Sequence, residues 1–97
     1  MKTKFIQQND LVFLNIDAKG YKKDEDVRFA LSSDELILEV RDRSTKKGVH
    51  QVKRLCQTLN KSIDVGRSEI QLLVGFIVVK LAKDDKSASW SEFGYDI

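Results

Sequence analysis

The feature that most constrains the fold of this chain is a hydrophobic period of two, which recurs along most of its length. Apolar residues occupy every second position in the segments 12–16, 27–31, 36–40 and 77–81. Successive side chains of a β-strand point to opposite faces, so each segment predicts a strand with one buried face. Thr3 to Gln8 predicts a further short strand. The chain is therefore expected to consist mainly of β-strands.

The segment Leu11 to Ile16 differs from the others because it is apolar on both faces. Its even-numbered residues are Val, Leu and Ile, and Leu11 and Phe13 add apolar side chains to the opposite face. Strands that are buried on both faces show such near-continuous apolar runs. The sequence therefore predicts that this strand is covered on both sides.

Short polar segments separate the predicted strands. Asn9-Asp10 and Ser32 to Asp34 predict tight connections, because Asn, Asp and Ser favour turn conformations. Val74-Gly75 predicts either a bulge or a hairpin turn between two apolar strands. These connections are too short for the helical crossovers that parallel strands need. Adjacent strands are therefore expected to be antiparallel.

The stretch from Val49 to Leu59 admits two interpretations. Its apolar residues fall at helical spacing, which would allow an amphipathic helix. Read as a strand, the same stretch separates polar from apolar side chains less well, and the residues alone leave both alternatives open. Asn60 to Ser68 is then interpreted as a loop, in which Ile63 and Val65 could form a short strand.

Strands at this spacing, with little helix, predict an all-β fold: a two-sheet antiparallel β-sandwich of about seven short strands. The 97 residues fit a single domain over 1–97. Its sandwich core is expected over about 3–83, followed by a C-terminal segment over 84–97. That segment carries Trp90, Phe93 and Tyr95, which need an apolar surface to cover. Trp90 could be a structural plug of the sandwich or an anchor for a partner.

The composition argues against several function classes. Lys and Arg number 17 against 15 Asp and Glu, so the net charge of +2 does not favour nucleic-acid binding. The longest nearly apolar run, Leu72 to Val79, is far shorter than the ~20 residues that span a bilayer. A single cysteine suits a reducing compartment. We therefore expect neither a nucleic-acid partner nor a membrane span.

The residues that carry chemistry do not form a recognisable constellation. His50 and Cys56 are six residues apart, which is beyond hydrogen-bond reach along a strand and off the helical i,i+3 and i,i+4 spacings. One His and one Cys cannot build a zinc site. The sequence therefore predicts a protein with no catalytic residues, no metal and no cofactor, and thus not an enzyme.

The order of segments along the chain resembles the CS domain, the family of p23-like and Siah-interacting-protein-like adaptors. The opening pair is Lys4–Gln8 followed by Asp10–Ile16, and the central hairpin is Val27–Leu31 with Glu35–Val40. The last part is Leu59–Ser68, then Phe76–Lys83, then a tryptophan in Ser89–Phe93. The resemblance covers almost the whole chain. It implies that the stretch from Val49 to Leu55 is a strand.

The resemblance also implies a function. CS domains are non-enzymatic protein-interaction modules that dock on the Hsp90 chaperone, or link it to clients and assembly machinery. The implied partner is therefore an Hsp90-family chaperone or a client complex, the chain is expected to be a monomer, and its location is expected to be the cytoplasm, with the nucleus as a second site. Two alternatives remain: a client-binding, small-heat-shock-type domain, or a regulatory CS domain excised from a larger protein.

The candidate binding residues follow from the predicted sandwich, which leaves one face of each sheet in water. Ile37 and Val78 are apolar positions among charged ones, which is typical of a transient interface. Packing beneath a loop would explain them equally well. The candidate partner-binding residues are Arg28, Ile37, Val78, Lys80, Trp90 and Phe93.

Overall fold

The computed structural model describes residues 2–18, 20–22, 25–42 and 51–96, and all of its regular elements are strands. The strands are β1 (Thr3–Gln8), β2 (Leu11–Asp17), β3 (Val27–Leu31), β4 (Glu35–Asp42), β5 (Gln51–Leu59), β6 (Ile63–Leu73), β7 (Phe76–Lys83) and β8 (Gly94–Asp96). The predicted all-β antiparallel sandwich is confirmed, with eight strands where about seven were expected.

The strands form two four-stranded antiparallel sheets. The first sheet has the order β1-β2-β7-β6, and the second has the order β3-β4-β5-β8. Their facing sides supply the core, in which the side chains that are least accessible to water are Ile16, Leu36, Leu38, Ile77, Leu81, Val12, Val40 and Val79. These are the alternating positions of the predicted strands, so the period of two does define the buried faces.

The ambiguous stretch is a strand. β5 pairs with β4 from Gln51 to Thr58, which confirms the strand that the resemblance implies for residues 51–55; Val49 and His50 lie outside the described residues. Asn9-Asp10 and Ser32 to Asp34 connect paired strands as predicted. Val74-Gly75 is a hairpin turn, in which Gly75 has a φ of 83° that favours glycine.

The loop predicted over Asn60 to Ser68 is confirmed only for residues 60–62, whereas the short strand allowed at Ile63 and Val65 is confirmed as the start of a longer strand. β6 begins at Ile63 and pairs with β7, and its register shifts between Asp64 and Glu69. Such an irregularity interrupts the alternation of side chains, so the polar residues here do not display a strand pattern. The Ser68 hydroxyl accepts from the backbone N–H of Ala82 at 2.9 Å, which joins the two strands across the irregular part.

The two lateral edges of the sandwich are closed to different extents. β3 is an edge strand, and Phe29, on its inward side opposite Leu38, is 52% exposed. The burial expected for Phe29 on the inner face of its strand is therefore wrong, because an inward side chain at a sheet edge has a core neighbour on one flank only. At the opposite edge, the C-terminal segment brings Trp90 and Phe93 against Phe5 of β1.

Side chains of β1 and β7 hold the C-terminal segment in place. The Gln7 amide donates to the Trp90 carbonyl at 3.1 Å and accepts from the Trp90 backbone N–H at 2.8 Å. The buried Lys83 ammonium donates to Gln7 Oε1 at 2.6 Å and to the Ala88 carbonyl at 2.7 Å. A buried ammonium needs such acceptors to offset its lost hydration. The segment is thus part of the sandwich.

Candidate functional site

The structure separates the six candidate binding residues into three places. Arg28 and Ile37 lie on the outer face of the β3-β4-β5-β8 sheet. Val78 and Lys80 lie on the outer face of the other sheet, on the opposite side of the molecule. Trp90 and Phe93 are buried at one edge between the sheets. One partner surface cannot contain all six, so each outer face has to be judged separately.

The outer face of the β3-β4-β5-β8 sheet, here the charged face, carries a cross-strand row of charged side chains. Its cross-strand register aligns Arg28, Glu39 and Arg54 in one row. The Arg54 guanidinium contacts the Glu39 carboxylate at 2.6 Å. The next row holds Ala30, Ile37 and Cys56, in which Ile37 is 37% exposed. Val52 and Tyr95, 58% and 57% exposed, lie on the same face, so its exposed apolar and aromatic side chains are separated by charged and polar rows.

The outer face of the β1-β2-β7-β6 sheet, here the apolar face, is different in character. One row aligns Ile6, Phe13, Lys80 and Glu69 across the four strands. The adjacent row aligns Lys4, Asn15, Val78 and Gln71, and Leu11 lies beyond Phe13. The Lys80 ammonium lies 3.8 Å from a Glu69 carboxylate oxygen. Four apolar side chains (Ile6, Leu11, Phe13 and Val78) therefore lie on a face rimmed by a few charges.

The predicted covering of Leu11 and Phe13 is not provided by the described chain. The described residues form two layers, and neither side chain belongs to the core cluster or packs against it. Both are half-buried, as are Ile6 and Val78. Contiguous apolar surface that a domain does not cover itself marks an interaction site. Among the predicted residues, Val78 and Lys80 lie on this face, whereas Phe13 and Ile6 were missed as binding candidates.

Trp90 and Phe93 occupy the position that the plug interpretation of Trp90 requires. Trp90 is 2% exposed and Phe93 is 5% exposed. The Phe93 ring meets the Phe5 ring edge-on, with centroids 6.4 Å apart, and lies 6.3 Å from the indole. In this arrangement both rings fill the sandwich edge and neither offers a face to a partner.

A third exposed feature is the turn between β6 and β7, here the β6–β7 tip, which comprises Leu73 to Phe76. Val74 is 90% exposed, Phe76 42% and Leu73 36%. The Tyr21 hydroxyl bonds to the Leu73 carbonyl and also lies 3.2 Å from the Phe76 carbonyl. Burial raises the pKa of Tyr21 above its ordinary value of 10.0, against the lowering effect of the Leu73 bond. The sequence did signal this feature, since apolar residues flank the turn.

The described residues do not assemble a chemical site. No group of three or more His, Cys, Asp or Glu side chains that could hold a metal ion occurs among them. Cys56 is a half-buried free thiol on the charged face, and its suggested companion His50 lies outside the described residues. Nor does any helix in the described ranges have the length and apolarity to cross a membrane.

Comparison with known proteins agrees with this geometry. The sequence matches the CS domain family over residues 1–83. Among solved structures, heat shock protein 16.0 from Schizosaccharomyces pombe is similar, with a TM-score of 0.73 and 19% identity, over 98% of this chain and 96% of that one. That similarity concerns the fold. No curated protein matches the sequence significantly.

The family match covers most of the chain, and it includes both outer faces and all but the last of the eight strands. CS domains are typically non-catalytic, and they mediate protein–protein interactions with chaperones or clients. The arrangement of the described residues, with one open apolar sheet face on a rigid sandwich, is consistent with such a role. This chain therefore belongs to the CS domain family and is a chaperone-associated protein-interaction module.

Proposed function

We propose that this domain docks on an Hsp90-family chaperone through its apolar face, and that it links the chaperone to a client or an assembly complex. The observation that carries the proposal is the row of Ile6 and Phe13, with Val78 adjacent, which no described layer covers. The membership of the CS family supports the choice of chaperone, because docking on Hsp90 is what the resemblance to that family implies.

The side chains of the apolar face determine the energetics of such docking. Burying apolar side chains contributes about 25 cal/mol per Å² of surface removed from water. Since Phe13 and Val78 stand on paired strands in the middle of a sheet, little conformational freedom is lost on binding. Lys4, Lys80 and Glu69 add charges around the apolar residues. We therefore expect an affinity that weakens as salt concentration rises.

A direct test is titration of the fluorescently labelled domain with the separate domains of Hsp90, followed by fluorescence anisotropy at two salt concentrations. Saturable binding to one Hsp90 domain, stronger at low salt, is the expected result. Failure of every Hsp90 domain to bind at moderate ionic strength would remove the chaperone assignment and leave the fold. The same role favours a cytoplasmic location, with the nucleus as a second site, which imaging of the tagged protein would test.

The alternative of a client-binding, small-heat-shock-type domain makes a different prediction about assembly. Such domains act as large oligomers, whereas a docking module works as a monomer. Size-exclusion chromatography with light scattering separates the two: a mass near 11.1 kDa supports the docking module. A large oligomer that suppresses aggregation of a denatured client would favour the alternative.

A further inference from the structure

The β6–β7 tip is unusual because its exposed side chains are apolar. Turns generally carry Gly, Asn, Asp, Ser or Pro, whereas here Val74 is 90% exposed and is flanked by the partly exposed Leu73 and Phe76. Val74 makes no contribution to the core at this exposure. Exposed apolar clusters without a structural role mark interaction sites.

The tip is held in a fixed conformation by the loop that follows β2. The Tyr21 hydroxyl donates to the Leu73 carbonyl and lies 3.2 Å from the Phe76 carbonyl, and the Ala18 N–H donates to the Gly75 carbonyl at 3.1 Å. Gly75 supplies the positive φ of the turn, where other residues would be strained. Because the backbone of the tip is pinned, its apolar side chains are presented with little ordering left to occur on binding.

A cleft lies directly beside the tip. It has a volume of about 470 Å³ and is lined by Lys2, Thr3, Lys4, Asn15, Asp17, Gly75 and Phe76. Pockets of roughly 300–1,000 Å³ accept a compact ligand or a large side chain. Phe76 contributes an apolar wall, so an apolar group inserted here would contact an aromatic ring and remain close to Val74.

The charge of the cleft selects between kinds of ligand. Two lysines, Lys2 and Lys4, line it against one carboxylate, Asp17. Within the described part of the chain, neither lysine takes part in an ion pair, in contrast to Arg54 and Lys80. Unpaired cations beside an apolar wall complement a ligand that carries both a large apolar side chain and carboxylates.

We propose that the β6–β7 tip and the adjoining cleft form a docking site for a short acidic peptide segment of a partner protein. A large apolar side chain of the segment inserts beside Phe76 and packs against Val74. Neighbouring carboxylates of the segment pair with Lys2 and Lys4. A protein ligand is favoured over a membrane surface because the chain is a protein-interaction module and the site is concave. The inference does not depend on Hsp90 docking.

The test uses fluorescein-labelled peptides and fluorescence polarisation with the intact domain. The probe is Asp-Asp-Leu-Phe-Asp-Glu; the comparison peptides are Lys-Lys-Leu-Phe-Lys-Arg, which reverses the charges, and Asp-Asp-Ser-Gly-Asp-Glu, which removes the apolar groups. Saturable binding of the first peptide alone, weaker at high salt, is the expected result. Equal binding of the charge-reversed peptide, or no binding of the acidic apolar peptide at low salt, would overturn the proposal.

Two matched valine variants locate the site. Val74→Asp removes an apolar contact and adds a repelling charge, and we expect it to weaken binding of the acidic apolar peptide about tenfold. Val52→Asp is the control, because Val52 is a 58% exposed valine on the charged face. Equal losses in the two variants would contradict the assignment of the site.

A variant of the apolar face and a lipid experiment distinguish this site from the apolar face and from a membrane-binding surface. Leu11→Glu, at the end of the apolar face away from the cleft, should leave peptide binding unchanged, and Val74→Asp should leave binding to Hsp90 unchanged. A failure of Hsp90 docking therefore leaves the peptide result interpretable. Vesicles of phosphatidylcholine with about 30% phosphatidylserine test the lipid alternative. Vesicle binding that Val74→Asp abolishes, without peptide binding, would overturn the proposal.

Discussion

The two outer faces of this sandwich differ in the partners that the domain itself provides for their side chains. On the charged face, Arg54 contacts Glu39 at 2.6 Å, so these two charges are paired within the sheet. On the apolar face, Phe13 and Ile6 are neighbours in the cross-strand register and no described layer covers them. The described residues thus leave the apolar face without a second layer, and we expect a partner to cover it. A binding surface is thus recognised by the apolar side chains that the described fold leaves uncovered.

The largest expected effect concerns the sandwich that carries both faces. Trp90→Ala should lower the free energy of unfolding by about 3–5 kcal/mol, because it leaves a cavity where a 2% exposed indole filled the sheet edge. Urea denaturation followed by circular dichroism would measure the loss. Tryptophan fluorescence cannot be used, because the chain has one Trp and the variant has none. Tyr95→Ala is the control, because Tyr95 is 57% exposed. Unchanged stability of Trp90→Ala would show that the indole is not a plug.

The second prediction contrasts the faces directly. Val78→Glu places a charge in the middle of the apolar face, and we expect it to weaken Hsp90 binding tenfold or more, which corresponds to about 1.4 kcal/mol. Ile37→Glu makes the matching change on the charged face and should alter binding little. Isothermal titration calorimetry with both variants, after circular dichroism has shown that they fold, would decide. A larger loss of Hsp90 binding for Ile37→Glu than for Val78→Glu would contradict the contrast between the two faces.

The sequence predicted a residue's position in the sheets correctly where that position depends on the residue's own strand, and wrongly where it depends on the order of the strands. The period of two identified the inward residues of β2, β4 and β7, because alternation is a property of each strand alone. Phe29 was misplaced because its exposure depends on the order of strands in the sheet, which no local pattern encodes. Similarly, the first part of β6, as far as Ser68, was interpreted mainly as a loop because its irregular register hides the alternation.

The binding residues were harder to identify for a related physical reason. Leu11 and Phe13 indicated that the second face of β2 is covered by apolar groups. Either a second layer of the same domain or a partner protein could provide that cover. Only the strand order shows that the covering is absent from the described part of the domain. Trp90 presented the same ambiguity, and its burial favours the structural interpretation.

A smaller effect is expected for the ion pair of the charged face. A double-mutant cycle of Glu39→Gln and Arg54→Met should give a coupling free energy of about 0.2–1 kcal/mol, because exposed pairs are screened by water. Arg54 has a side chain that is 62% exposed. Denaturation of the four proteins measures the coupling. A value of several kcal/mol would mean that the charges of this face are important for folding, and the contrast between the faces would have to be redrawn.

The smallest effect is a pH dependence at the irregular part of β6. The Arg67 guanidinium, bonded to the Asp64 carboxylate at 2.8 Å, holds the pKa of Asp64 below its ordinary value of 3.8. A lowered folded-state pKa stabilises the fold above pH 3.8, and this contribution disappears as the pH falls through the folded-state value. Titration of the Asp64 carboxyl carbon by NMR would measure the shift. An ordinary pKa, unchanged by Arg67→Met, would contradict the pairing.

The most direct test of the central claim is NMR mapping of amide shifts as unlabelled Hsp90 domains are added to the ¹⁵N-labelled domain. We expect the affected amides to cluster on β1, β2 and β7, around Ile6, Phe13 and Val78. Shifts confined to β3, β4 and β5, around Arg28 and Ile37, would contradict the assignment of the apolar face as the docking surface.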